Sequence, residues 1–236
     1  MLIPDTIHVL GFTGNPDATF RTVKEVERAG FRAEPFWCFP NPFTDFLASK
    51  LPVCKMMAKK HSFLNCSLGH YNLWKSNREL GRCPLFIVED DCRFLKDLDV
   101  VRKTLANHPS DADILLLDSF GPVPHDGVRR FVAERRNAQG GWAKVTRARS
   151  MACYIITERM ANRLIALTEG AVKGNLMRAC DQWIEETRVP GMNMYCAVPN
   201  LAIQQKPPDC RLRSSADGNV WKYNAQGTEH ELYAQW

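Results

Sequence analysis

Short apolar runs alternate with longer amphipathic stretches along most of the chain. Residues 6–10 read as a first strand, closed by Gly11 and the Gly14-Asn15-Pro16 turn. Asp17 or Thr19 stands where a helix cap is expected, and the helix that follows runs to about Ala29, stopped by Gly30. Residues 31–39 form an aromatic-rich second strand, broken by Pro40 and Pro42. Leu68, Tyr71 and Trp74 recur at helical spacing and predict a helix over 67–80, with Gly81 just past its end. Leu85-Phe86-Ile87-Val88 is a continuous apolar run of the kind that suits a strand covered on both faces. Residues 114–117 repeat that pattern and end at Asp118. Residues 119–149 carry Gly, Pro and many basic residues with little periodicity, so a functional or disordered loop is expected. A strand resumes over 152–156, and Thr157 caps a helix through about Leu167. The last strand covers 194–198 and stops at Pro199.

Alternating strands and helices predict an α/β fold, helices covering a mostly parallel sheet. Residues 1–205 form one domain in this reading, and the polar stretch 206–236, with Pro207-Pro208 at its start, is an extended C-terminal arm. In open sheets of this type the ligand lies beyond the carboxyl ends of the strands.

Composition changes this picture only by exclusion. The 236 residues are 45% apolar and 24% charged, which is globular, and no stretch has the roughly 18 uninterrupted apolar residues of a spanning helix. Residues 1–5 lack a basic segment followed by an apolar block, so no secretory signal is expected. The nine cysteines form no Cys-x-x-Cys pair, which argues against a zinc ribbon and for reduced, mostly buried thiols in a cytoplasmic protein. A net charge of +5 fits an anionic partner such as a nucleotide diphosphate, an acidic glycan or a lipid surface. No zinc knuckle, RNP or helix-turn-helix signature points to nucleic acid.

Glu89-Asp90-Asp91, directly after the apolar run, is the most informative local feature. Three carboxylates at a strand mouth gather charge that a hard cation such as Mg²⁺ or Mn²⁺ could neutralise, together with substrate phosphates. In extended geometry Glu89 and Asp91 share a side, so one can meet a metal while the other reaches a hydroxyl. A surface turn or a phosphohydrolase site can carry the same triplet.

The segment Asn65-Cys66-Ser67-Leu68-Gly69-His70-Tyr71-Asn72-Leu73-Trp74, followed by residues 84–91, resembles glycosyltransferase family 25. That family pairs a Cys-x-x-Ser-His helix with an aliphatic strand closing in Glu-Asp-Asp. Gly69 stands where the family usually has Ser. Residues 113–117, 150–164, Asp181-Gln182-Trp183 and 199–204 are similar to later family segments in the same order, so the likeness spans about 6–205. The N-terminal turn departs most, with Gly11-Phe12-Thr13-Gly14-Asn15 and one Arg21 in place of an Asn-Leu-Asp turn and clustered Arg.

The resemblance implies a GT-A-like, Rossmann-like three-layer α/β/α fold. It implies a metal-dependent inverting glycosyltransferase that uses Mn²⁺ or Mg²⁺. The expected donor is a UDP-sugar, galactose or another hexose, and the expected acceptor a glycan or lipooligosaccharide. By the same resemblance Asp91 is the metal ligand, with Asp90 second to it and close to the donor. Glu89 is expected to hold ribose or sugar hydroxyls. Asp181 is the general base that inversion requires, or a helix cap, two roles that are compatible. His70 is either a donor to a phosphate or sugar oxygen or a packed structural imidazole. Arg21 contacts the diphosphate or is an exposed helix charge. Arg129, Arg130, Arg135, Arg136, Lys144, Arg147 and Arg149 form a lid, a surface for an anionic acceptor or peripheral membrane contact, or a solvated loop. His230 is a late candidate for the metal shell. The competing reading is a non-catalytic nucleotide-sugar or glycan-binding module with the same fold.

Overall fold

The computed structural model describes residues 1–38, 46, 49–50, 61–94, 98–118, 139–146, 148, 150–173, 177–185 and 189–204. The N-terminal unit is β1 (Thr6–Gly11), α1 (Pro16–Arg28) and β2 (Arg32–Trp37). The cap of α1 is neither Asp17 nor Thr19: the Asn15 side chain accepts from the Ala18 amide at 3.4 Å, and Pro16 opens the helix. A proline at the first helical position needs no amide partner and already holds a helical φ, which moves the cap one residue upstream of it. Gly30, at φ 68°, stops the helix as expected. Its amide bonds the Glu27 carbonyl, and the Phe31 amide bonds that of Val26.

The helix α2 (His61–Glu79) starts earlier than its apolar spacing predicted and ends at Gly81, φ 66°. Next come β3 (Leu85–Glu89), β4 (Cys92–Phe94), α3 (Leu98–Ala106) and β5 (Ile114–Leu116). The stretch 119–149 is not one unbroken loop, because β6 (Trp142–Val145) lies inside it. Trp142, Ala143 and Val145 are buried, and the Trp142 indole donates to the Thr104 carbonyl at 3.0 Å. Neighbouring basic residues mask that short apolar pattern in the sequence. The chain continues through β7 (Cys153–Ile156), α4 (Glu158–Val172, capped by Thr157), α5 (Gln182–Glu185), β8 (Met194–Ala197) and β9 (Ala202–Gln204). The arm 206–236 with His230, and the basic residues Arg129, Arg130, Arg135, Arg136, Arg147 and Arg149, lie outside the described residues. No helix among the described residues is long and apolar enough to cross a membrane.

Seven strands form one sheet in the order β2-β1-β3-β7-β5-β8-β6, and β4 pairs with β9 in a separate ribbon. The sheet is mixed. Five strands share one direction, while β7 and β6 run against their neighbours. Helices lie on both faces, so there are two cores. One joins Ile7, Val9, Phe86, Val88, Leu115 and Ile155 to Val26 of α1 and to Val101 and Leu105 of α3. The other joins Leu10, Leu85, Ile87, Leu116, Tyr154 and Ile156 to Leu64, Leu73 and Trp74 of α2 and to Met160 and Leu164 of α4. Side chains alternate faces along a strand. On β3, residues 86 and 88 therefore point to α1 while 85 and 87 point to α2.

The chain leaves β1 through α1 to β2 on one side, and β3 then pairs on the other side of β1. The carboxyl ends of β1 and β3 therefore flank the crevice where strand order reverses. In open α/β sheets this is the position at which ligands bind.

Candidate functional site at the carboxyl edge of the sheet

Alternation along β3 sends its terminal acids in opposite directions. Glu89 keeps the parity of Leu85 and Ile87 and enters the α2 face. Its Oε1 lies 2.9 Å from His70 Nε2 and accepts from the Cys66 thiol at 3.1 Å. His70 Nδ1 lies 2.8 Å from the Tyr154 hydroxyl, which accepts from the Trp74 indole at 2.8 Å. Cys66, His70 and Trp74 are each four residues apart, so one stripe of α2 presents all three to the ends of β3 and β7. His70, Trp74 and Tyr154 are fully buried.

Asp90 keeps the parity of Phe86 and Val88 and turns to α1. Its Oδ2 accepts from the Phe12 amide at 3.1 Å and from the Thr19 hydroxyl at 3.0 Å, and its carbonyl accepts from Thr22 Oγ1 at 2.8 Å. Gly11 makes this approach possible: a Cβ there would stand 2.4 Å from Thr19 Oγ1. Burial raises the Asp90 carboxyl above its usual range, and the Glu89 charge adds to the rise, against the two hydrogen bonds that lower it. Asp91 is half-buried and sits in the turn between β3 and β4. Extended backbone ends at Glu89, so the two-residue spacing does not put Glu89 and Asp91 on a shared face.

Two segments far along the chain reach the same edge. Asp118, just past β5, is buried and accepts from the Cys153 amide at 2.7 Å and from Ser150 Oγ. Burial holds its carboxyl well above the usual range. The second segment is 177–185. The Cys180 amide donates to Ser67 Oγ at 3.0 Å, and the Cys180 sulfur joins Cys66 and His70 with all three ligand atoms within 4.8 Å of one another. The adjacent Cys66 thiol draws Cys180 below the ordinary thiol range against its burial, with His70 assisting. The adjacent Cys180, burial and the Glu89 charge push Cys66 up. Burial alone would lower His70, but Cys180 and Glu89 beside it make the net direction upward.

The structure thus brings Glu89, His70 and the residue before Asp181 into one cluster, with Asp90 on the opposite face of β3. Asp181 holds the position just before α5, where its carbonyl accepts from the Ile184 amide at 3.1 Å. Arg21 is on the exposed face of α1. Lys144 is on β6, paired with Asp111 at 3.5 Å, and Asp111 precedes the amino end of β5; it therefore belongs to the opposite edge of the sheet. Sequence reading missed Cys180, Tyr154 and Asp118 as members of this edge. Asp118 carried the same signal as the triplet, an acid closing an apolar strand. The four-residue spacing of Cys66 and His70 was a usable sign of two polar groups on one helix face. Nothing local marked Cys180 or Tyr154.

Consecutive carboxylates at a strand mouth suit a hard divalent cation, which takes oxygen ligands and leaves the rest of its shell to phosphates or water. By that chemistry Asp90 and Asp91 are donors of the hard-cation kind and the thiol-rich cluster around His70 is not, with Asp90 Oδ2 already engaged by the Phe12 amide and the Thr19 hydroxyl.

No protein-family model and no curated protein matches the chain. Among solved structures it is similar to the crystal structure of mouse xyloside xylosyltransferase 1 in its apo form. That likeness has 10% identity, covers 80% of this chain and 70% of that one, and has a TM-score of 0.36, too distant to transfer an activity.

Proposed function

We propose that this chain is a metal-dependent inverting glycosyltransferase of the family 25 type, with a GT-A-like fold. In this reading it transfers a hexose from a UDP-sugar to a glycan or lipooligosaccharide acceptor. One observation carries the proposal: Glu89-Asp90-Asp91 closes β3 at the crevice beside β1, where the strand order reverses. The ordered resemblance over residues 6–205 supports it, with the Cys66–His70 helix packed directly on the Glu89 end of β3.

In this reading Asp91, with Asp90 beside it, would hold Mn²⁺ or Mg²⁺, which would supply charge neutralisation for a leaving diphosphate. Glu89 faces His70 and Cys66, so its part is to fix the shape of the site floor. Asp181 accepts the proton of the acceptor hydroxyl while that oxygen attacks the anomeric carbon opposite the leaving group. The sugar–phosphate bond breaks as the new glycosidic bond forms. His70 acts through Glu89 and Tyr154 rather than by direct contact with a phosphate.

A screen of UDP-, GDP- and CMP-sugars with and without Mn²⁺ tests the proposal. Turnover of a UDP-hexose that requires the metal is expected, with activity falling about 100-fold or more in Asp91→Asn at an unchanged thermal midpoint. Full metal-dependent turnover by Asp91→Asn would remove Asp91 from the role. Tight metal-dependent donor binding by calorimetry without turnover of any donor would favour a binding module.

A further inference from the structure

The Cys66–His70–Cys180 cluster gathers sulfur and nitrogen atoms, a different chemistry from the carboxylates that follow β3. We propose that Cys66, His70, Cys180 and Glu89 bind one zinc ion, which fastens the segment carrying Asp181 to α2 and to the end of β3. The inference does not depend on the transferase reading.

Four observations converge on it. First, the three sulfur and nitrogen ligand atoms lie within 4.8 Å of one another, and Glu89 Oε1 is 2.9 Å from His70 Nε2 and 3.1 Å from Cys66 Sγ. Tetrahedral zinc with bonds of about 2.3 Å to sulfur holds its ligand atoms roughly 3.3–3.8 Å apart, so only small shifts close the shell. Second, thiolate plus imidazole selects zinc over the hard cations suited to the neighbouring aspartates. Third, His70 and Cys180 are buried and Cys66 is half-buried, the enclosure of a structural rather than an open catalytic site. Fourth, His70 is oriented by its other ring nitrogen. Nδ1 meets the Tyr154 hydroxyl, itself fixed by the Trp74 indole, which leaves Nε2 aimed into the cluster. Zinc-bound histidines are held by an outer partner in this way.

The three protein segments involved are distant in sequence: α2, the β3 terminus and residues 177–185. The Cys180 amide, which donates to Ser67 Oγ at 3.0 Å, already ties the last of these to α2. A metal there would join residues 66 and 180 directly. Its binding free energy would then appear as ordering of the loop that presents Asp181.

The test uses the full chain, purified under reducing conditions. Elemental analysis of the protein as isolated should find about one equivalent of zinc. Replacement by Co²⁺ should give intense visible bands of tetrahedral cobalt and a near-ultraviolet thiolate-to-cobalt transition. Cys66→Ser and Cys180→Ser should each weaken or abolish that transition, and Cys83→Ser should leave it intact. Tyr154→Phe should keep the bands while zinc affinity falls about tenfold or more. To separate loss of metal from misfolding of the cysteine variants, the wild type is also melted with and without a strong chelator, and a lower midpoint with chelator is expected. Absence of both zinc and the cobalt transition in folded wild type would overturn the proposal. So would a transition of full strength in Cys180→Ser, or a Cys66–Cys180 disulfide in a protein that takes up no zinc after reduction.

Discussion

Glu89 and Asp90 are adjacent acids at one strand end, yet they live in opposite chemical environments. Glu89 enters a face of thiols, imidazole, phenol and indole supplied by α2, β7 and the 177–185 segment. Asp90 enters a face of hydroxyls and a backbone amide supplied by α1 and the β1–α1 turn. The pleat of β3 makes the division, and the helix on each side decides the partners. One face gathers thiols and an imidazole in a closed cluster, and the other latches α1 to the end of β3.

The contrast can be broken one face at a time. The largest stability effect is expected from His70→Leu, which strands the Glu89 carboxylate and the Tyr154 hydroxyl. Removing one member of a buried ionic network costs about 3–5 kcal/mol, measurable by urea unfolding. A loss within experimental error would mean that the α2 face does not hold the fold. On the other face, Asp90→Ala removes the acceptor of the Phe12 amide and the Thr19 hydroxyl, and should cost about 2–3 kcal/mol. Hydrogen exchange at the Phe12 amide should rise with it, while the chain around Cys180 stays protected. Equal deprotection of both regions would show that the two faces are one unit.

The smallest effect sharpens the packing behind the Glu89 face. A Cβ on Gly69 would stand 2.4 Å from Cys38 Sγ, so α2 approaches Cys38 with no room for a side chain. Gly69→Ala should cost about 1–2 kcal/mol through overpacking. Cys38→Ala in the same chain removes the obstructing sulfur and should restore most of that loss, a coupling read from a double-mutant cycle. Purely additive costs would break the steric account. A serine at 69 would meet the same obstruction from Cys38. Burial, together with the Glu89, Asp90 and Cys180 charges, pushes the Cys38 thiol up to about 12, so it packs as a neutral group.

Much of the framework was legible because local physics sets it. The apolar runs of β3 and β5, the Gly30 and Gly81 stops and the Thr157 cap are decided within a few residues, and all stand where the pattern places them. Errors arose where two local signals competed. Pro16 moved the α1 cap to Asn15, and basic neighbours hid β6. The three-residue strands β4 and β9 were too short for a period to declare itself, whereas α3 carried helical spacing in Val101 and Leu105 and was overlooked. The acids closing β3 were visible for the same reason as the strand itself, since a carboxylate ends an apolar run abruptly.

By itself the amino-acid sequence determined that the chain forms an α/β unit, that the buried strands β3 and β5 end in acid, and that Cys66, His70 and Trp74 share one helix stripe. The tertiary structure alone decided that β7 runs against β3 and delivers Tyr154 to His70, and that Cys180 returns from 110 or so residues away to meet Cys66. Periodicity encodes which face a side chain takes, because that depends on its own neighbours in the chain. Which distant segment covers that face depends on strand order and direction, and those are settled only when the sheet closes.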